Sequence, residues 1–194
     1  MRSLAAVLLL LAVAAVLPLK AGTVVLDFEG FPDSTILTTQ YPGVTLTNAI
    51  ILSAGISLNE FDFPPHSGAN VASDNNGPMS IGFASPVLSF SGYFTYAEPL
   101  TIQAFNSVHT QVASASSLFS QNFVSSGNPP NEFIHVAFAG GISSVTITGD
   151  PAGGSFALDD ATYTTTGAAT PEPRTFSLLL GAAVILALKE RKRR

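Results

Sequence analysis

Between Gly22 and Thr170 the apolar residues recur with a period of two, and no helical periodicity of useful length interrupts them. Side chains on a strand alternate between faces, so this pattern commits the segment to half-buried strands. In "TVVLDFE", Val24, Leu26 and Phe28 share one face while Val25, Asp27 and Glu29 share the other. In "VLSFSGYFTY", Leu88, Phe90, Phe94 and Tyr96 have one parity, with Gly92 among them and Tyr93 opposed. Leu100, Ile102 and Ala104 form a third set; Ile134, Val136 and Phe138 a fourth; Val145 and Ile147 a fifth; Phe156 and Leu158 a sixth. β-Branched and aromatic residues fill the runs, and Gly, Pro, Asn and Ser separate them. About nine strands at this spacing predict an all-β fold, a two-sheet jelly-roll-like β-sandwich over residues 22–163. The stretch Ser53 to Met79 is rich in turn formers. It reads as a long functional loop or as a sandwich-end loop with one short strand around Ala69 to Ala72.

Charge narrows the function. The segment from Gly22 to Thr170 holds eleven acids (Asp27, Glu29, Asp33, Glu60, Asp62, Asp74, Glu98, Glu132, Asp150, Asp159 and Asp160) and no Lys or Arg, a formal charge of −11 with histidine neutral. Such a surface cannot neutralise phosphates, which argues against nucleic acid as a partner. A buried carboxylate in it must take backbone donors, a histidine or a cation as its partner. The chain has no cysteine, so disulfides, thiolate metal sites and a cysteine nucleophile are excluded.

The two ends read as targeting segments. Arg2 followed by the apolar run Leu4 to Leu17, with Pro18 and a small residue at Ala21, predicts a cleaved signal peptide over residues 1–21 and hence the secretion machinery as a partner. "TTTGAAT" reads as a linker over residues 164–170. The chain then closes with "TPEPRTFSLLLGAAVILALKERKRR". Prolines on either side of Glu172 favour an extended segment that an enzyme's groove can accept. Thr175 to Leu188 is uncharged and, as a helix, rises about 21 Å, short of a bilayer core of about 30 Å. The bases of residues 189–194 then hold the cytoplasmic side.

Pro171-Glu172-Pro173, the apolar segment 175–188 and the basic tail 189–194, in that order, resemble the PEP-CTERM sorting domain of exported Gram-negative proteins. That resemblance implies that Pro171, Glu172 and Pro173 are the recognition motif of an exosortase-type processing enzyme. It also implies that the transmembrane helix anchors the chain transiently in the inner membrane before release to the cell envelope or extracellular matrix. The body, through "LDFEGF", "PGVTLTNA" and "SFALDDATY", resembles the β-sandwich domains found ahead of such tails, which implies a structural or adhesive role and no established activity.

Two alternatives follow from the body. Jelly-roll carbohydrate-binding modules often hold a structural calcium ion between the first and last strands, and the terminal strands here are similar. Hard cations take six to eight oxygen ligands. Glu29, Asp159 and Asp160 are therefore the calcium candidates, with Asp27, Asn59 and Asn70 behind them, for a calcium-dependent module binding extracellular polysaccharide. The pleat is expected to send Asp159 and Asp160 to opposite faces, with Asp160 turned inward. Sugars stack on aromatic faces; without tryptophan, Tyr41, Tyr93, Tyr96 and Tyr163 are the amphipathic rings available. The second alternative is a glycoside hydrolase, pairing Glu29 with Glu60, Glu98 or Glu132. Nothing selects a pair, no G-x-S-x-G elbow occurs, and His66, His109 and His135 lack metal-ligand spacing. The chain is read as non-enzymatic.

Overall fold

In a computed structural model, which describes residues 21–166, the chain is all-β and antiparallel, and the arrangement fits a β-sandwich. The strands are β1 (Thr23–Leu26), β2 (Ile36–Leu37), β3 (Val44–Thr47), β4 (Ala49–Ser53), β5 (Asn70–Asp74), β6 (Met79–Tyr96), β7 (Thr101–Phe105), β8 (Gln111–Ser116), β9 (Glu132–Thr148) and β10 (Phe156–Thr165). A single 3₁₀ turn at Val124–Ser126 is the helical element among the described residues. Residues 1–20 of the expected signal peptide 1–21, the expected motif 171–173, the apolar segment 175–188 and the basic tail 189–194 lie outside them. The first two residues of the expected linker, Thr164 and Thr165, belong to β10.

Two long strands serve both portions of the structure. The start of β6 pairs with β3 and with the end of β9, to which β7 and β8 are added. The end of β6 pairs with β10 and with the start of β9. The outer edge of β10 is shared by β5, which leads to β4 and β2, and by β1. The change of direction falls where the β6–β9 register jumps, between Gly82↔Ser144 and Val87↔Ile142. Pro86 interrupts the ladder there because it lacks an N–H. Gly141, at φ +95°, lets the facing strand turn with it: a Cβ on Gly141 would meet Pro86 Cβ at 2.9 Å.

The alternation becomes one core. Phe90, Phe94 and Tyr96 of β6, Ile134 and Val136 of β9, and Phe156, Leu158 and Tyr163 of β10 are buried together with Met79, Ile81, Ile102, Val145 and Ile147 from the other portion. Phe94 and Phe156 pack with ring centroids 6.1 Å apart. Leu88 departs from its expected face. A second register shift between Val87 and Ser89 puts Val87 in the core at 2 % exposure and leaves Leu88 half-buried.

The loop-rich stretch after β4 is a cover. Leu58 packs with Val71 and Ala157, flanked by Leu52, Ala54 and Phe63, in a small second core. This explains why β5 is buried at every position, and why Phe156 to Asp159 of β10 are buried on both faces. The short strand expected near Ala69 to Ala72 is β5, Asn70–Asp74.

Candidate functional site

Asp160 sits at φ +46° in β10, where the register with β6 slips between Asp159↔Tyr93 and Thr162↔Ser91. This is a β-bulge, and it breaks the alternation that predicts an inward Asp160. Leu158 and Ala161 stay in the core, while the two acids between them both reach the segment 66–67 of the cover. Asp159, 1 % exposed, accepts hydrogen bonds from the Ser67 N–H at 2.8 Å and the Asp160 N–H at 2.7 Å. Asp160 accepts from the Ser67 hydroxyl at 3.1 Å and pairs through Oδ2 with His66 Nδ1 at 2.7 Å. Glu29 reaches the same segment from the chain after β1. Its Oε1 accepts the N–H groups of Ala69 and Asn70, both at 2.8 Å.

The three carboxylates proposed for calcium thus converge on residues 66–70, and the partners they find are N–H and O–H donors and one imidazole. Among the described residues no group of three or more His, Asp or Glu side chains is placed to hold a metal ion. The residues behind them are also engaged. Asn70 donates to the carbonyls of Phe28 at 3.2 Å and Phe31 at 2.9 Å, and accepts from the Ser53 hydroxyl. Asp27 accepts from the Glu29 N–H at 3.3 Å, and Asn59 donates to Asp62 at 3.3 Å. Burial raises the Asp159 carboxyl to about 6, against the opposing pull of the Ser67 and Asp160 N–H groups.

Other acids act as local clasps. Asp74, 2 % exposed, accepts from the Ser155 N–H and hydroxyl and the Phe156 N–H, tying the end of β5 to the start of β10. Glu132 accepts from the buried Tyr96 hydroxyl and from the Leu118 N–H, and burial carries the Tyr96 phenol up to about 12. Asp33 is lowered by the Ser57 hydroxyl first, and Asp62 by the Ser125 hydroxyl. Of the suggested hydrolase carboxylates, Glu29 and Glu132 are therefore both committed to holding loops.

His66, positioned by Asp160, lies flat on the ring of Tyr93, with centroids 3.4 Å apart and planes 7° apart. Tyr93 is paired across the ladder with Phe133, their rings 5.3 Å apart. Phe133 lies near-parallel to His135, 6.4 Å away at 12°. Phe133 is 55 % exposed and Ile134, between it and His135, is 4 % exposed. The face of β6 and β9 opposite the core therefore carries a strip of four rings: His66, Tyr93, Phe133 and His135. Tyr93 faces outward, as its parity predicts. The sequence does not single out the other three for this site. Parity is the available signal for two of them: Phe133 and His135 oppose the core residues Ile134 and Val136. Nothing local signals His66, which arrives through the cover. The remaining tyrosines do other work. Tyr41 accepts the Phe28 N–H at 3.0 Å and burial pushes it up to about 12; Tyr96 and Tyr163 are in the core.

No family model matches this chain, and no curated protein does. Its fold has distant likenesses among solved structures. The K2 cleaved adhesin domain of Lys-gingipain is 15 % identical, with 74 % of this chain and 98 % of that one covered and a TM-score of 0.46. A DUF4465 family protein from Bacteroides caccae is 10 % identical, with 73 % and 98 % covered and a TM-score of 0.47. A mutant of the carbohydrate-binding module CBM29-2 complexed with cellulohexaose is 12 % identical, with 76 % and 94 % covered and a TM-score of 0.42.

Proposed function

We propose that this chain is an exported cell-envelope or matrix protein whose jelly-roll-like sandwich acts as an adhesive module by binding polysaccharide. The observation that carries the reading is the exposed strip His66–Tyr93–Phe133–His135. Sugar rings present flat C–H faces, and rigid aromatic rings offer them contact area at low entropic cost. Ring planes on a sheet are held by the ladder beneath them, so the strip is ordered before a ligand arrives. Delivery rests on the ends of the sequence. The segment 1–21 directs export, and Pro171, Glu172 and Pro173 with the segment 175–194 direct sorting by an exosortase-type enzyme.

The binding half is tested by retardation of the exported protein in gels containing single polysaccharides. Phe133→Ala is expected to weaken retention about tenfold with an unchanged melting temperature, since the ring is more than half exposed. Failure of every neutral and charged glycan to retard the protein refutes the reading. The delivery half is tested by intact mass: the form recovered from the producing cells should lack both the N-terminal segment and the basic tail.

A further inference from the structure

Resting on the polysaccharide reading, we infer that the ligand of the aromatic strip is a cationic amino-sugar polymer, one whose hexosamine nitrogens are free amines. The first ground is charge. Eleven of the thirteen acids and no Lys or Arg lie between Gly22 and Thr170, so the folded body carries a field of one sign. A uronate or sulfate polymer would meet that field without a guanidinium or ammonium to pair with. A polymer of ammonium groups is drawn to it, and its capture is accelerated by long-range attraction.

The second ground is what surrounds the rings. The carboxylate nearest the strip is that of Asp160, which binds His66 at 2.7 Å and keeps 19 % of its side chain exposed. Asp159 lies in the next position of β10, paired in register with Tyr93. Glu132 precedes Phe133, its oxygens turned to Tyr96 and Leu118. Of these three acids Asp160 is the one that both touches the strip and reaches solvent, since Asp159 is buried and Glu132 is turned away. Phe133 adds the negative face of its π system, which attracts ammonium groups, while half-buried Tyr93 has one face covered by His66. A neutral glucan uses the rings alone; an amino-sugar chain uses the rings and the field together.

The inference is tested with three hexasaccharide probes at about pH 5.5, where the amines of an amino-sugar oligomer are largely protonated and ordinary carboxylates stay ionised: glucosamine, N-acetylglucosamine and glucose oligomers, with a uronate oligomer as the anionic control. The glucosamine hexamer should bind about fivefold or more tightly than either neutral probe, as one exposed cation–π contact together with surface attraction allows. The gap should close in high salt, where the Debye length shrinks to about 3 Å. Asp160→Asn, which keeps an oxygen acceptor for Ser67, should narrow the gap between the charged and the neutral probes. Equal binding of charged and neutral probes, or binding of the uronate, overturns the inference and leaves the polysaccharide reading standing. Glucosamine binding that is indifferent to Phe133→Ala also overturns it, since adsorption to a polyacid would then suffice. If no probe and no polysaccharide binds, the underlying reading fails instead.

Discussion

The imidazole of His66 lies 3.4 Å from the ring of Tyr93 and nearly parallel to it, which brings the end of the 54–69 cover onto the aromatic strip. The contact joins a loop residue to the central strand β6, and Asp160 fixes the imidazole from the other side. Stacked aromatic pairs are worth about 0.5–1.5 kcal/mol beyond their buried area. A double-mutant cycle of His66→Ala and Tyr93→Ala, followed by urea unfolding, should return a coupling energy in that range. A coupling near zero would show that the stack is incidental to the cover.

Asp159 should make stability depend on pH in an unusual sense. Its folded carboxyl holds a proton up to about 6, while in the unfolded chain it titrates near 3.8. Between those values the folded state binds more protons, so stability falls as pH rises through the window. The contribution is most favourable below about pH 4 and the full cost is present above about pH 6. A tenfold difference in proton affinity between the folded and unfolded carboxyl corresponds to about 1.4 kcal/mol. Asp159→Asn removes the titration and keeps an oxygen for Ser67, so the melting temperature of the variant should change less between pH 4 and 6 than that of the parent. Asp33 and Asp62, whose values are lowered by their serine partners, act in the opposite sense and below that window. Parallel pH profiles for parent and variant would contradict the assignment.

The same bulge shows where sequence reasoning reaches its limit. Parity places Leu26, Phe90, Phe94, Ile134, Val136, Ile147 and Leu158 in the core, because a two-residue period survives wherever the ladder is regular. It fails for Leu88 and Asp160, where register shifts add one or more residues to one strand. A bulge is set by the partner strand as much as by local composition, so "LDDATY" read alone keeps its alternation. The candidate site is half legible for a related reason. Glu29, Asp159 and Asp160 can be grouped through the terminal strands, but their partner, the segment 66–70, is remote in sequence and folds back through contacts such as Leu58 on Ala157. The strip's outward Tyr93 is readable; its neighbour His66 is not.

Gly68 is predicted to be intolerant of a side chain. It sits at φ +55°, and a Cβ there would collide with the Glu29 carboxylate. Gly68→Ala should therefore strain the backbone and dislodge Glu29 from the Ala69 and Asn70 N–H groups, a loss of about 1–3 kcal/mol by urea unfolding. Because Ser67, His66 and the Asp160 N–H engage both oxygens of Asp159 and of Asp160, and the Ala69 and Asn70 N–H groups engage Oε1 of Glu29, excess calcium or a chelator should leave the melting temperature of the parent unchanged. A rise of several degrees in calcium would restore the ion site expected from the sequence.

Gly92 should resist substitution for a packing reason alone. It lies on the core face of β6 between Phe90 and Phe94, and a Cβ would run into the Leu158 side chain while lying 3.4 Å from Phe94 and 3.5 Å from the Asp159 carbonyl. Gly92→Ala overpacks the ladder beneath Tyr93 at a cost of about 1–3 kcal/mol. Leu158→Ala alone opens a cavity and costs about 2–5 kcal/mol. Since Leu158→Ala vacates the space that the methyl group added at Gly92 needs, and that methyl group fills part of the cavity, the double variant should be more stable than the sum of the two losses implies. Strict additivity would mean that the two positions do not compete for the same volume.

Asp74 is predicted to be the most sensitive of the acids. Its carboxylate takes three hydrogen bonds in a buried corner: the Ser155 N–H at 2.8 Å, the Phe156 N–H at 3.0 Å and the Ser155 hydroxyl at 2.8 Å. Its own carbonyl receives the Gly154 N–H at 2.8 Å, so β10 starts where Asp74 holds it. Asp74→Ala leaves two buried N–H groups and a hydroxyl without this acceptor, and each orphaned donor costs about 1–3 kcal/mol. The total approaches the whole stability of a domain this size, about 5–15 kcal/mol. Asp74→Asn keeps an oxygen for the two N–H groups, and the Ser155 hydroxyl can rotate to accept from the new amide. The asparagine variant should therefore fold with a modest loss while the alanine variant unfolds at room temperature or is recovered as aggregate. Equal, small losses from both would show that β10 is held by its ladder with β6 and owes nothing to this clasp.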